Sequence, residues 1–575
     1  MNGAGDTAAG ALVGRAGEID DVNPAASQPK SVSTLVQLDG ATLDYRPLKA
    51  PREDKAVLIE PPLETAAALL AEQARREPER YDVQGRALAD LAAEARSQFI
   101  AEAWRYTSSY RDVPEPPADG PVLLAGHQPQ MFHPGVWLKN FALGYLAGRH
   151  GGTAVNLVID GDTIKNAAIR VPAGSPAEPF SRLVPYDDPT TEIPYEERGI
   201  QNASTFESFG RRAAEVIAPL VADPLVERFW PMVVGRSRET GNLGECLAQA
   251  RHQLEGRWGL STLEMPLSRV CTLGPFAWFS AHWLAQLPRL HAIYNDSVAL
   301  YRRVHRIRSL NHPVPDLAAD GDWLEAPFWI WTSRRPHRRR VFARARGRET
   351  LLTDREGFEL ALPLTSDGNG AAAAACLAEL PGRGIRLRTR ALATTLFARM
   401  FLGDLFLHGI GGGKYDQLTD LIVRRFFGIR PPPWMVLSAT LHLPVPRPPA
   451  CEHDARGAAQ RLRELTYHPE RHVALDQLRP SDVSAVERLI ATKRQWIETE
   501  PTPANARRRC REIRAVNEAL QAWVEPLRRH WLAEHDRLVQ SGRALATLNW
   551  REYAFCLYPE KTLRDFLLDF PPGGT

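Results

Sequence analysis

The chain has 575 residues, 44% hydrophobic and 24% charged, with a formal net charge of +3. That length exceeds one ordinary core and calls for two or three domains, or one domain with large insertions. The near-balanced charge gives no ground for a nucleic-acid or anionic-membrane partner, and no apolar run reaches the ~18 to 20 residues of a membrane span.

Six scattered cysteines (Cys246, Cys271, Cys376, Cys451, Cys510 and Cys556) form no CxxC and no Cys/His pair with zinc spacing. The N-terminus lacks a basic segment followed by a long apolar one, so no signal peptide or anchor is expected, and the expected compartment is the reducing cytoplasm.

Residues 1–35 are rich in Gly, Ala, Ser and Asp without periodicity and are expected to be disordered. Residues 36–120 form an N-terminal helical segment, with three- and four-residue apolar spacing at 63–76 and 85–110. A Pro-rich linker from Pro114 to Pro121 ends it. The core is then expected at 121–450. PVLLAG (121–126) predicts a short buried strand, VWLKNFALGYLAGRH (136–150) a helix and TAVNLVID (153–160) a second buried strand, which together make a βαβ unit.

Residues 175–260 read as an insertion with helical patches, followed by a strand at 263–270 and a helix at 280–307. APFWIWTSR and RRVFARAR predict a hairpin at 326–346, and the arginines of its turn (Arg334, Arg335, Arg338 and Arg339) read as solvated. Two helices around a Gly-rich break fill 389–429, closed by Pro431 to Pro433. Residues 451–549 are mostly polar helix at coiled-coil-like spacing, broken at PTP (501–503). They predict two antiparallel helices of about 20 and 35 residues, ~30 and ~50 Å long, forming an arm of the kind that dimerises. Residues 550–575 return to the core. The predicted fold class is α/β, a Rossmann-like doubly wound parallel sheet with inserted connections and a C-terminal α-helical coiled-coil arm.

The stretch GHQPQMFHPGVWLKN (126–140) lies between the first core strand and its helix, where an open α/β sheet places its ligand crevice. Pro134 falls where a helix begins, and His133 stands beside the helix amino end, whose free N–H groups favour an anion. His127 and His133 are the candidate catalytic residues here, with Gly126, Gln128, Gly135, Lys139 and Asn140 as candidate binding residues. Past the second strand, Asp160 and Asp162 flank Gly161, either as turn residues or as carboxylates that orient an amine or Mg²⁺. Thr163 and, more weakly, Lys165 accompany them. HGIGGGKYD (408–416) is a second constellation: Gly411, Gly412 and Gly413 expose backbone N–H groups beside His408, Lys414 and Asp416. It is not a Walker A motif, since Tyr415 follows the lysine. Tyr294 and Asn295 are candidate polar contacts on a helix that packing explains equally well. No set of residues has the spacing of a dedicated metal site, and no G-x-S-x-G elbow or Cys/His pair suggests covalent catalysis.

Two resemblances follow from these residues. The turn G-x-Q-P followed by F-H-P-G partly resembles the HxGH signature of nucleotidylyltransferases, with Val136 where the second His would stand. Over more of the chain, from about 120 to the end, the order of motifs resembles the bacillithiol-biosynthesis cysteine-adding enzymes, a cysteine ligase family with a Rossmann core and a dimerising coiled-coil arm. The resemblance is carried by Gly126, His127, Gln128, Pro134, Gly135 and Lys139. It continues in Asp160 and Asp162 (with Thr163 where a His is expected), LFLHGIGGGKYDQLTD, FFGIRPPP and LYPEKTLRDFLL. It implies a small-molecule ligase that joins a cysteine-like amino acid to an amino-sugar or other amine, with ATP or ADP and Mg²⁺ as cofactor, working as a homodimer. A nucleotidylyltransferase-related enzyme and a non-catalytic dimeric scaffold stand as alternatives.

Overall fold

The computed structural model describes residues 36–38, 41–43, 45–76, 80–164, 166–189, 191–447 and 455–569. The expectation for residues 1–35 and the candidate Lys165 lie outside them.

Six strands build the central sheet: β1 (Val57–Glu60), β2 (Val122–His127), β3 (Thr153–Val158), β4 (Leu263–Pro266), β5 (Leu405–His408) and β6 (Trp434–Ala439). Their spatial order is β1-β6-β5-β2-β3-β4, with β1 antiparallel at one edge and every other pairing parallel. Counted among the parallel strands alone, the order is 3-2-1-4-5, so the direction of winding reverses between β2 and β5.

The side chains of β2 alternate between two cores, as a pleated strand requires. Val122 and Leu124 join one apolar cluster, and Leu123 and Ala125 join the other. Helix α1 (Pro134–His150) follows β2 and packs on the second cluster through Trp137, Leu138 and Phe141. Helix α2 (Leu243–Arg257) belongs to that same layer. Helix α3 (Ile410–Ile422) follows β5 and packs on the opposite cluster through Leu418, Leu421 and Ile422. The two helices that leave the central pair of strands therefore start at the same sheet edge, on opposite faces.

Several expectations are revised. The N-terminal helical segment also supplies β1, and two further sheet strands, β5 and β6, were hidden in stretches read as helix or Pro-rich closure. The strand expected over 263–270 ends at Pro266 and turns into the short helix Leu267–Val270. The helix expected at 280–307 is two, Gly274–Ala285 and Leu287–Val304. A hairpin (Ala168–Gly174 with Pro179–Pro185) straddles the start of the insertion, which holds three helices, the last of them α2, whose Arg251 and Glu255 are buried against the core.

The predicted hairpin is two strands of a larger antiparallel sheet that also holds Glu349–Thr353, Glu359–Leu362 and Ile385–Thr389. Its first turn is tighter than expected, because the strands are Trp323–Thr332 and Arg335–Arg346, which places Arg338 and Arg339 in a strand. Residues 455–548 form three helices rather than two, Ala455–Tyr467, Pro480–Glu498 and Ala506–Leu548, with Val486, Val516 and Leu520 buried between the last two. Among the described residues no helix is long and apolar enough to cross a membrane.

Candidate functional site

A cleft of about 1350 Å³ opens at the carboxyl ends of β2 and β5, where the winding reverses. Open α/β sheets bind ligands at this place because the flanking helices diverge there and leave a crevice. Gly126, His127, Gln128, His133, Gly135 and Lys139 line it from one side, and His408 with Gly411, Gly412 and Lys414 from the other.

His133 is the N-cap of α1: its Nδ1 accepts the N–H of Gly135 at 3.1 Å, and Pro134 occupies the first helical position. An accepting Nδ1 puts the ring proton on Nε2, so His133 faces a ligand as a donor. His127, the last residue of β2, has the opposite tautomer. Its Nδ1 lies 3.2 Å from the carbonyl oxygen of Gln128, which can only accept, so Nδ1 carries the proton and Nε2 keeps a lone pair. Burial, reinforced by Lys139, pushes His127 down to about 3. Burial followed by Arg551 and Lys139 does the same to His133, also to about 3. Both rings are neutral near pH 7, one as an acceptor and one as a donor.

Gly135 is required by close approach. A Cβ at this position would stand 1.9 Å from the carbonyl oxygen of Ala439 on β6, an atom that cannot move without the sheet.

Lys139 is 2% exposed, and its Nζ donates to the carbonyl oxygen of Gly126 at 2.9 Å. Among the described residues it makes no ion pair. Burial, with a smaller contribution from Arg251, lowers its pKa from the ordinary 10.5 to about 8. A cation held this deep without a counter-ion is costly, and an anion in the cleft would relieve the cost.

On the second wall, Gly409 caps α3 and the glycines 411 to 413 form its first turn, where a break between two helices was expected. The N–H of Gly413 reaches the carbonyl of Gly409 at 2.9 Å. The amides of Ile410, Gly411 and Gly412 precede any intrahelical partner and open at the cleft. Gly412 has no room for a side chain, since a Cβ would lie 2.6 Å from His408 Nδ1. Gly413 points away and packs on Val436 and Leu48.

His408 Nε2 is 2.7 Å from Asp416 Oδ2, which also receives Arg399 at 2.8 Å. Burial opposes ionisation of Asp416, but Arg399 and His408 outweigh it and hold the carboxyl below its usual range. Burial also keeps His408 neutral despite Asp416. Asp416, fully buried, thus fixes His408 and does not itself meet a ligand.

Other candidates are placed elsewhere. Asp160 is 8% exposed and accepts hydrogen bonds from the backbone N–H and the hydroxyl of Ser268, so it ties β3 to the helix after β4. Burial, then Glu196, raises its pKa to about 7. Asp162 does line the cleft, but its oxygens are occupied by Arg338 at 2.8 Å, Gln128 at 2.9 Å and the N–H of Thr163 at 2.9 Å. Thr163 Oγ1 receives Arg338 as well, at 3.1 Å. Asn140 turns from the cleft to Glu255 at 2.8 Å, joining a buried network of Arg251, Glu255, Glu264 and Trp137. Asn295 is spent on the backbone of Leu317, at 2.9 and 2.8 Å. Tyr294 lines the cleft and reaches the carbonyl of Pro315 only at 3.5 Å.

Sequence reasoning missed much of the cationic lining. Lys49 and Arg52 come from the segment before β1, Arg551 from the C-terminal return, Arg338 and Arg340 from the antiparallel sheet, and Arg390 from just past its strand Ile385–Thr389. Arg338 and Arg390 also pack on the Trp329 ring, at 5.0 and 4.7 Å from its centroid. The cluster read as a solvated turn thus supplies part of a cleft wall. Eight Lys and Arg residues line the cleft against two carboxylates, Asp162 and Glu552, so the lining is cationic and complements an anion. Among the described residues no group of three or more His, Cys, Asp or Glu is placed to hold a metal ion.

The fold and the cleft together define an α/β protein with a predominantly parallel sheet and a cationic crevice at its point of reversed winding. The sequence matches no protein-family model and no curated protein.

Proposed function

We propose that the cleft binds an anionic, phosphate- or carboxylate-bearing small molecule within a Rossmann-like frame, and that the protein is a ligase-like enzyme forming a carbon–nitrogen bond. The observation that carries the binding part is Lys139, 2% exposed on the cleft wall and, among the described residues, without a counter-ion, in a cleft that the amino ends of α1 and α3 also line.

The reaction rests on the resemblance to the cysteine-adding enzymes. A nucleotide activates the carboxylate of a cysteine-like amino acid by phosphoryl or adenylyl transfer. The amine of an amino-sugar or similar acceptor then attacks the acyl carbon. The new C–N bond forms as the C–O bond to phosphate or AMP breaks, and the amine proton passes to His127 Nε2. His133 donates through Nε2–H to the ligand anion, and Lys139 neutralises it. An anion beside Lys139 also raises the basicity of His127, so the base gains strength once substrate is bound. Mg²⁺ would arrive with the phosphates. In the same reading the C-terminal helices form a coiled-coil arm that joins two copies in the cytoplasm.

The test is calorimetric titration of ATP and ADP, with and without Mg²⁺, into the wild type and Lys139→Met, followed by a screen of amino acids with amino sugars for nucleotide-dependent condensation. Binding that the variant loses supports the reading. Saturating nucleotide that yields neither heat nor thermal stabilisation removes the activated-carboxylate mechanism.

A further inference from the structure

The eight cations of the cleft divide into two groups by what they already hold. Arg338 pairs with Asp162 at 2.8 Å, and Arg390 and Arg340 pair with Glu325 at 2.5 and 3.5 Å. Lys139, Lys414, Lys49, Arg52 and Arg551 also line the cleft and make no ion pair with any described residue. Of the two carboxylates in the lining, Asp162 is engaged by Arg338, which leaves Glu552. A single carboxylate or monoanionic ligand would satisfy one of these five cations. The surplus fits a ligand that carries several negative charges along its length.

The unpaired cations are also layered. Lys139 is buried at the floor, whereas Lys49 and Arg52 are exposed at the rim. The rim segment is nonetheless anchored: Leu48 is 3% exposed, the carbonyl of Pro51 accepts Thr440 Oγ1 at 2.6 Å, and Asp54 Oδ1 accepts the N–H of His442 at 2.7 Å. Arg551 holds the same end of β6 from the other chain terminus, donating to Ser438 Oγ at 3.0 Å and to the carbonyl of Ala439 at 2.9 Å. Its Nε is buried without a partner. Segments 48–54 and 551 are therefore fastened over the exit of β6; the first brings Lys49 and Arg52 to the cleft without an ion pair to any described residue, and the second brings Arg551, which has the charge of Glu552 beside it.

We propose that the ligand of this cleft is a polyphosphate chain, as in a nucleoside di- or triphosphate, gripped by Lys139 at the floor and by Lys49 and Arg52 at the rim. This deepens the reading of the cleft as an anion site and rests on it. Floor and rim have separable effects. Orthophosphate reaches the floor alone, and a longer chain spans both.

The experiment titrates orthophosphate and tripolyphosphate into the full chain at fixed salt, and repeats both with Lys49→Gln/Arg52→Gln, two exposed positions whose replacement spares the fold as judged by an unchanged melting temperature. Tripolyphosphate is expected to bind the wild type at least about tenfold more tightly than orthophosphate. The rim variant is expected to lose most of that advantage while its orthophosphate affinity stays within about twofold. Equal affinities in the wild type, a tripolyphosphate advantage indifferent to the rim variant, or two independent orthophosphates per chain would each overturn the polyphosphate assignment and leave the anion site standing. Failure of both anions to bind would overturn the anion reading itself.

Discussion

Replacing Lys139 by Met is expected to stabilise the unliganded protein and to abolish anion binding. Lysine and methionine have similar length, so the substitution exchanges a buried ammonium for a buried thioether with little change of volume. Burial takes the lysine from its ordinary 10.5 to about 8, so holding the charge in the folded state costs on the order of 3 kcal/mol near pH 7. The variant also loses the hydrogen bond to the Gly126 carbonyl, about 1 kcal/mol. The net gain is then about 2 kcal/mol.

The sign with pH follows from the direction of the shift. The folded state releases this proton more readily than the unfolded state, so the penalty is fully present below pH 8 and fades as pH rises toward 10.5. Wild-type stability should therefore climb relative to the variant across that window. Denaturant midpoints for both proteins at pH 7 and pH 10, with and without phosphate, measure all three effects. A variant less stable than the wild type in the absence of anion would refute the argument, because it would mean that Lys139 has a protein counter-charge and needs no ligand.

Gly135→Ala should cost about 1 to 3 kcal/mol or more, since the added Cβ meets the backbone of Ala439 and forces α1 from the sheet; a melting curve within a degree of wild type would contradict this. His127 and His133, pushed down to about 3, leave the unfolded chain to take up protons first as pH falls through 6.5. Stability should drop from pH 7 to pH 5 by on the order of 4 kcal/mol for the pair, about 2 for each ring, and His127→Gln/His133→Asn, which keeps an N-cap acceptor, should flatten that slope in acid denaturation. Asp160→Asn should leave phosphate affinity within about twofold, because Asp160 holds Ser268 and not the ligand; a large loss of affinity would restore it to the site.

The first βαβ unit was legible because its strands are apolar runs, a pattern that burial on both faces imposes, and because Pro134 marks the start of α1. Strands β5 and β6 were not. LFLH is four residues long and sits between helix-forming stretches, and WMVLSA follows three prolines, so neither has the length or the boundaries that separate a buried strand from a buried helix. Periodicity also could not place the glycines 411 to 413 in a helix, since glycine normally breaks one. Gly412 and Gly413 are needed there for the space they leave to His408, Val436 and Leu48, a tertiary demand absent from any local pattern.

The candidate site divides along the same line. Residues beside the first turn of a helix were legible in part: His133 was read next to the amino end of α1, which it caps, and Gly411 and Gly412 as exposing backbone N–H groups, while the close approach that requires Gly135 was not visible. Residues whose role depends on which distant segment they meet were misjudged. Asp160 looked like a ligand group and is consumed by Ser268, 108 positions away. Asn140, on the same helix as Lys139, is drawn to Glu255 by a buried arginine that a local reading cannot see. Conversely, Lys49, Arg52 and Arg551 carry no motif at all. They matter because β6 lies beside β5, and residues 51–54 and 551, about 500 positions apart, are both fastened at the end of β6. A cleft assembled in this way draws its charge from contacts between segments hundreds of residues apart. Its ligand is therefore better inferred from which cations lack a partner than from which residues form a motif.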